Sequence, residues 1–349
     1  MNETFNLASG VDARMPNGFR IGNYEDTDAG TGCTVLIYPD GATGAVAVRG
    51  GAPATRETDL LDPINMVQVL HAVVLSGGSA FGLAASTGVM SWLEENSIGL
   101  KFGGQCIPIV TGACIFDLGL GDPDIRPDAD WGYKACENAS ARVLTGNIGG
   151  GTGASVGKML GPNLAMKAGL GAASIGINDL VVTAIAVVNA AGDVFSGSRS
   201  RMVAGARDPE RPLSILDPYQ ALFAQIQAAS DRESPRLTEG EERAAVNSEG
   251  ADSRANTTIS CVLTNAQMSK AQATRVASMA HDGYARAIEP VHTASDGDTV
   301  FVMASNEVQT NPDMVGILAA WVMEAAIVNA AIDAEGAYGL PANRDLLEK

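Results

Sequence analysis

The chain has 349 residues, 46% hydrophobic and 18% charged, which suits one large domain or two ordinary ones with a sizeable core. A net charge of −17 repels phosphate backbones, so nucleic acid is excluded as an expected partner. The five cysteines (Cys33, Cys106, Cys114, Cys136, Cys261) are scattered and odd in number, so they read as small buried apolar residues in a reducing compartment, not as a disulfide framework.

In chain order, the opening stretch MNETFNLASG has no basic region followed by an apolar run, so no signal peptide is expected and a cytoplasmic location is. Residues 31–51, TGCTVLIYPDGATGAVAVRGG, alternate and break at Pro39-Asp40-Gly41, which predicts a β-hairpin. Residues 67–96 give an apolar run, a Gly-Gly turn and a helical pattern that Ser79 is expected to cap. Residues 180–197 predict a second hairpin with Asn189 at its bend. Residues 206–256 are dense in Pro, Glu, Arg and Ser, and read as a surface excursion or linker interrupted by a short helix near 218–229.

Three further elements follow the excursion. TTISCVLTN is rich in β-branched residues and predicts a strand from Thr257. The next segment opens with a Ser269–Gln272 capping box and predicts a helix ending before Pro290. DGDTVFVMAS gives a turn and a strand, and residues 313–335 a last helix stopping at Gly336. That helix contains Glu324 and Asn329, which favours a core or interface helix over a membrane span. Strands and helices alternate without a strict βαβ rhythm, so layered α+β is expected rather than a Rossmann sheet.

Several stretches suggest chemistry. GGGTGASVGKM (149–159) nearly makes a phosphate loop, but Thr152 stands where Gly is required and Met159 where a magnesium-holding hydroxyl belongs. The same stretch has the spacing of a nucleophile elbow around Ser155, without the strand that should precede it. Lys158, a lone cation after an apolar Gly-rich turn, is expected to be partly buried with a shifted pKa or a carboxylate to neutralise. SGGSAFG (76–82) could offer a helix N-terminus to an anion, though most such turns are only turns. His71 reads as a satisfied core residue, His281 as a helix residue open to solvent, and the three histidines lack metal-ligand spacing. Asp296-Gly297-Asp298 places two carboxylates at a strand entrance, where like charges need a cation or a shared proton. No metal or cofactor is expected.

A threonine hydroxyl needs a base, and a chain that begins with Thr supplies one in its own α-amine, whose ordinary pKa is about 7.7–8.0. A polar excursion that hands over abruptly to a strand at Asn256–Thr257 is the layout expected if that bond is cut. The stretches GTGCTV, VRGGAPATRETDLLDP, HAVVLSGGSAFGLAASTGVMSWLEE, GTGASVGK and NTTISCVLTN…MAHDGYARAIEPVHTASDGDTVF, in that order from Gly18 to Asn306, resemble the L-aminopeptidase/D-Ala-esterase family, which includes β-peptidyl aminopeptidases and nylon-oligomer hydrolases.

This resemblance implies a four-layer αββα sandwich akin to N-terminal-nucleophile hydrolases, formed by one domain cut into residues 1–256 and 257–349. It implies Thr257 as nucleophile, supported by Lys158, Asn189, Asp296 and Asp298; in the mechanism expected to follow, the aspartates hold Lys158 and the α-ammonium, and Asn189 serves the oxyanion. Thr257 and the Asp-Gly-Asp pair lean toward the nylon-oligomer branch. The implied substrate is a peptide or small-molecule amide, and the implied assembly a homo-oligomer of cleaved heterodimers, often four. Three alternatives stand beside it: a Ser155 hydrolase of different fold, a self-cleaving acyltransferase of the ornithine-acetyltransferase type, and an unprocessed binding protein on the same scaffold.

Overall fold

A computed structural model of the chain describes residues 6–197, 199–211, 213–231 and 256–347. Among them, ten strands join in one hydrogen-bonded order. They are β1 (Asn6–Ser9), β2 (Arg20–Asp26), β3 (Thr31–Val48), β4 (Ala54–Arg56), β5 (Leu70–Ser76), β6 (Val110–Cys114), β7 (Leu170–Ile177), β8 (Leu180–Asn189), β9 (Thr257–Ala266) and β10 (Thr299–Val308). The order runs β1-β7-β8-β9-β10-β3-β5-β6-β4, with β2 paired to β3. The β9–β10 and β5–β6 pairs are parallel.

Strand β3 joins two sheets. Its first part, up to Ile37, pairs with β2 and β5, and Thr43–Val48 pairs with β10. The expected hairpin at Pro39-Asp40-Gly41 is therefore a kink within one long strand. Gly41 takes φ +81° there, and the register against β5 slips between Ile37 and Ala42. The second expected hairpin also resolves differently. β8 ends at Asn189, and Asp193–Ser196 pairs with Arg201–Ala204 and Ile288–Glu289 instead of folding back on β8.

The α-helices among the described residues are α1 (Ala85–Glu95), α2 (Ala129–Glu137), α3 (Pro218–Asp231), α4 (Lys270–Ala287), α5 (Pro312–Ile332) and α6 (Asn343–Leu347). The Ser269–Gln272 box caps α4 in both directions. Ser79 does not cap α1: it has φ +53° and opens a 3₁₀ turn, Ser79–Ala84, that leads into the helix. Helix α5 ends at Ile332, short of Gly336. The short helix inside the excursion is α3, and residues 232–255 of the excursion lie outside the described residues.

Three apolar clusters separate four layers. Side chains alternate across a strand, so each strand feeds two clusters. Val182, Ala184, Ala186, Val188, Val262 and Val300 face α4 and α5. The odd positions Ile185, Val187, Ile259, Cys261 and Phe301 meet Leu36, Val73 and Leu75 of the other sheet. That sheet's outer face, with Val35, Ile37 and Val74, covers Val89 and Leu93 of α1 and Ala135 and Cys136 of α2. The result is helices, sheet, sheet, helices, an αββα sandwich, with each buried Val, Leu or Ile contributing roughly 1.5–3 kcal/mol. Helix α5, long and apolar enough to span a membrane, buries Val315, Val322 and Ile327 in the first cluster. All five cysteines are free; Cys33, Cys114, Cys136 and Cys261 are buried as expected, whereas Cys106 is only half-buried.

Candidate active site

Asn189, the last residue of β8, sits opposite Thr257, the first residue of β9. Both continue the odd-numbered series that faces the inter-sheet layer, so their side chains are cross-strand neighbours at one end of that layer, with Cβ atoms about 4.5–5.5 Å apart. Residues 296–298 enter β10 beside the start of β9, because β9 and β10 run parallel with Ile259 opposite Thr299. The strand starts and ends thus gather distant segments at one edge.

Thr257 is buried, with 5% of its surface exposed. Its hydroxyl donates to the Asn256 carbonyl at 2.5 Å. The same carbonyl accepts the Gly297 N–H at 3.0 Å. The Asn189 Oδ1 accepts the Ser155 N–H at 3.1 Å and Lys158 Nζ at 2.6 Å, and the Asn189 main-chain carbonyl accepts Lys158 Nζ at 3.0 Å. The Asn189 Nδ2 donates one hydrogen to Phe116 O at 2.8 Å. The Gly-rich stretch makes these contacts possible: a 3₁₀ turn at Gly149–Gly151, then a two-residue strand, Ser155–Val156, whose end turns Lys158 back onto Asn189. No strand precedes Ser155, so the elbow geometry is not met. Its amide instead orients Asn189.

Desolvation pulls the Lys158 pKa down to about 7, against the opposing pull of Asp296 and Asp117. The aspartates do not grip Lys158 as expected: among the described residues no ion pair joins it to a carboxylate. Asp296 Oδ2 accepts the Thr293 N–H at 2.6 Å, and burial followed by repulsion from Asp298 raises its pKa. Asp298 Oδ1 accepts the Thr258 N–H at 2.8 Å, and its Oδ2 accepts the His292 N–H at 3.0 Å and pairs with His292 Nδ1 at 2.8 Å. Asp298 therefore fixes the residue after Thr257 and the 292–298 loop together.

Behind this lies a buried polar cluster. His281 is fully buried rather than solvent-facing, with Nε2 on Ala47 O at 3.0 Å, and burial lowers its pKa to about 4. Its ring meets Tyr284 and His292 edge-on. The Tyr284 hydroxyl lies between Thr258 O, Ser260 Oγ and Thr299 O. His71 is a core residue whose Nδ1 accepts the Ile109 N–H at 3.1 Å.

Two groups at the site carried no expectation. Asp117, just past β6, accepts the Gly78 N–H and the Thr31 hydroxyl, each at 2.7 Å. Burial still raises it to about 6, and its field reaches Lys158 and Lys167. Lys167 is 0% exposed, and burial lowers it to about 7. Its Nζ donates to Gly151 O, Ala154 O and Ala168 O at 3.2, 2.9 and 2.5 Å, tying down the Gly-rich stretch from below. A lone Lys in the apolar, Gly-rich run NLAMKAGLG meets the same criterion that singled out Lys158.

Comparison with known proteins gives a consistent result. The family model "Peptidase family S58" matches residues 17–344. An uncharacterized aminopeptidase of Mycobacterium tuberculosis is 39% identical over 94% of this chain and 96% of its own length. The 6-aminohexanoate-oligomer endohydrolase of Paenarthrobacter ureafaciens is 29% identical over 90% of this chain and 84% of its own. Among solved structures, the Burkholderia sp. beta-aminopeptidase superposes with TM-score 0.62 at 20% identity, covering 95% of this chain and 91% of that one. The L-aminopeptidase D-Ala-esterase/amidase of Ochrobactrum anthropi, described as a new variant among the Ntn hydrolase fold, gives 0.66 at 17% identity, covering 95% and 89%. The fold expected from the sequence is the fold of these proteins.

Proposed function

The chain belongs to peptidase family S58 and is an amide-bond hydrolase, and on that premise we propose that it cuts its own Asn256–Thr257 bond and then works through Thr257 as an N-terminal nucleophile. The observation that carries this reading is the Thr257 hydroxyl lying 2.5 Å from the carbonyl oxygen of that bond, inside the buried end of the inter-sheet layer. Water is largely excluded there, so preorganised dipoles act at low dielectric.

In the first step Thr257 Oγ1 attacks the Asn256 carbonyl carbon, and neutral Lys158 takes the hydroxyl proton. Its depressed pKa leaves about half of it unprotonated at pH 7. The C–N bond breaks, the amine collects a proton, and water hydrolyses the resulting ester. In the mature enzyme the freed α-amine replaces Lys158 as base, and a protonated Lys158 nearby favours the neutral amine. Thr257 then attacks the substrate amide. Asn189 Nδ2 has a second hydrogen, with no partner among the described residues, to offer the developing oxyanion. Asp298 holds the nucleophile's strand in register through Thr258.

The substrate class is a peptide or an aminohexanoate-type oligomer, as the names of the relatives suggest. Assembly into a cytoplasmic homo-oligomer belongs to the same proposal. The outward face of α5 exposes Met314, Ile317, Trp321 and Ile332, an apolar stripe suited to a neighbouring subunit. The test is Thr257→Ala, which should run as one band on a denaturing gel and hydrolyse neither aminoacyl amides nor aminohexanoate oligomers. An Ala variant that is still cut contradicts the scheme.

A further inference from the structure

We propose that the main-chain N–H of Gly297 is the oxyanion donor for cleavage of the Asn256–Thr257 bond, an inference that rests on the self-cleavage reading above. Among the described residues the Asn256 carbonyl oxygen has two donors: the Thr257 hydroxyl, which is the attacking group, and the Gly297 N–H at 3.0 Å. When Oγ1 bonds to the carbonyl carbon, its proton passes to neutral Lys158, the C=O π pair moves onto that oxygen and the hydroxyl leaves its donor role. The Gly297 N–H is then the donor already aimed at the new negative charge. Collapse returns the pair, breaks the bond to the Thr257 nitrogen, which takes the proton back from Lys158 and leaves as the amine, and puts the Asn256 acyl group on Oγ1 as an ester.

The Gly297 peptide is fixed from both sides. Asp296 donates its N–H to Thr293 O and accepts the Thr293 N–H on its carboxylate. Asp298 is held by Thr258 and His292, and the Thr299 hydroxyl donates to Gly297 O at 2.9 Å. A donor fixed in this way needs no reorganisation when charge develops. Glycine is required by space rather than by φ. Gly297 is not among the positive-φ glycines, yet a Cβ there would lie 2.7 Å from Thr257 Oγ1 and 3.1 Å from its Cγ2. A side chain could be accommodated only by moving the nucleophile. The Asn189 amide, in contrast, does not bond to Asn256 O. The two steps thus use different donors: Gly297 for self-cleavage and Asn189 for substrate.

The test replaces the residue-297 amide with an ester, by incorporating glycolic acid in place of Gly297, and follows refolded precursor by denaturing gel. If the parent chain cleaves and the ester chain cleaves about 10²–10³-fold more slowly, the assignment holds; equal rates overturn it. A parent chain that never cleaves overturns the self-cleavage reading instead, so the two failures are distinguishable. Should the ester chain not fold, a Thr257→Ala chain carrying ¹³C at the Asn256 carbonyl and ¹⁵N at Gly297 replaces it. A coupling across that hydrogen bond supports the donor, and its absence removes it.

Discussion

Lys158→Met is the perturbation that most sharply probes the first step. Lys158 Nζ sits 2.6 Å from Asn189 Oδ1 and 3.0 Å from Asn189 O, beneath the residue paired with Thr257. Desolvation brings its pKa to about 7. If neutral Lys158 takes the Thr257 proton, the cleavage rate follows the unprotonated fraction. That fraction is about 1% at pH 5, half at pH 7 and nearly all at pH 9, so the rate should rise roughly 100-fold between pH 5 and 9 and level off above pH 7. Met keeps the length and apolar body of the stem but cannot accept a proton. The variant should cleave about 10²–10⁴-fold more slowly with no inflection near pH 7. The assay is precursor held in urea, refolded by dilution into buffers across this range and sampled on a denaturing gel. A wild-type rate that is flat from pH 5 to 9, or a Met variant that keeps the wild-type profile, refutes the role.

Asp117→Asn should move the inflection below pH 7, because Asp117 is one of the two carboxylates that pull the Lys158 pKa upward; an inflection that stays in place removes that coupling. Asn189→Asp keeps the acceptor for Lys158 and Ser155 but loses the Nδ2 donor, so turnover of mature enzyme should fall about 10²–10³-fold; unchanged kcat removes the oxyanion role. Asp298→Asn turns toward the Thr258 N–H, or toward the His292 N–H, an NH₂ group in place of a carboxylate oxygen, and should lower unfolding stability by about 1–3 kcal/mol, read from urea denaturation. Asp193 is buried with Oδ2 unpartnered among the described residues, and burial raises its pKa to about 7. A raised carboxyl contributes stability below the unfolded value near 4 and loses it as pH climbs through the folded value. Asp193→Asn should therefore gain on wild type between pH 4 and 7 and keep that gain above; an offset independent of pH contradicts it.

Element types were legible wherever periodicity was long and the ends were chemically marked. The Ser269–Gln272 box and the β-branched run after Asn256 are examples. The two hairpins were misread for one reason. Pro39-Asp40-Gly41 and the Asn189 bend carry turn chemistry, but pairing partners come from residues far away in sequence, and β10 and β9 won over local return. Thr257, Asn189 and Lys158 were legible as a constellation only because the motifs around them occur together. Nothing in local spacing says that Asn189 and Thr257 are register partners. Asp117 and Lys167 were missed because their importance lies in burial, which a lone charge within an apolar run signals but does not specify. His281 was misplaced because its helix buries the face turned toward β3, where Ala47 accepts its Nε2.

The cut itself is the most direct measurement. Intact-mass and N-terminal sequencing of active, purified protein should give a C-terminal fragment that starts at Thr257, with its partner ending at Asn256. Full activity in one unbroken polypeptide contradicts the account.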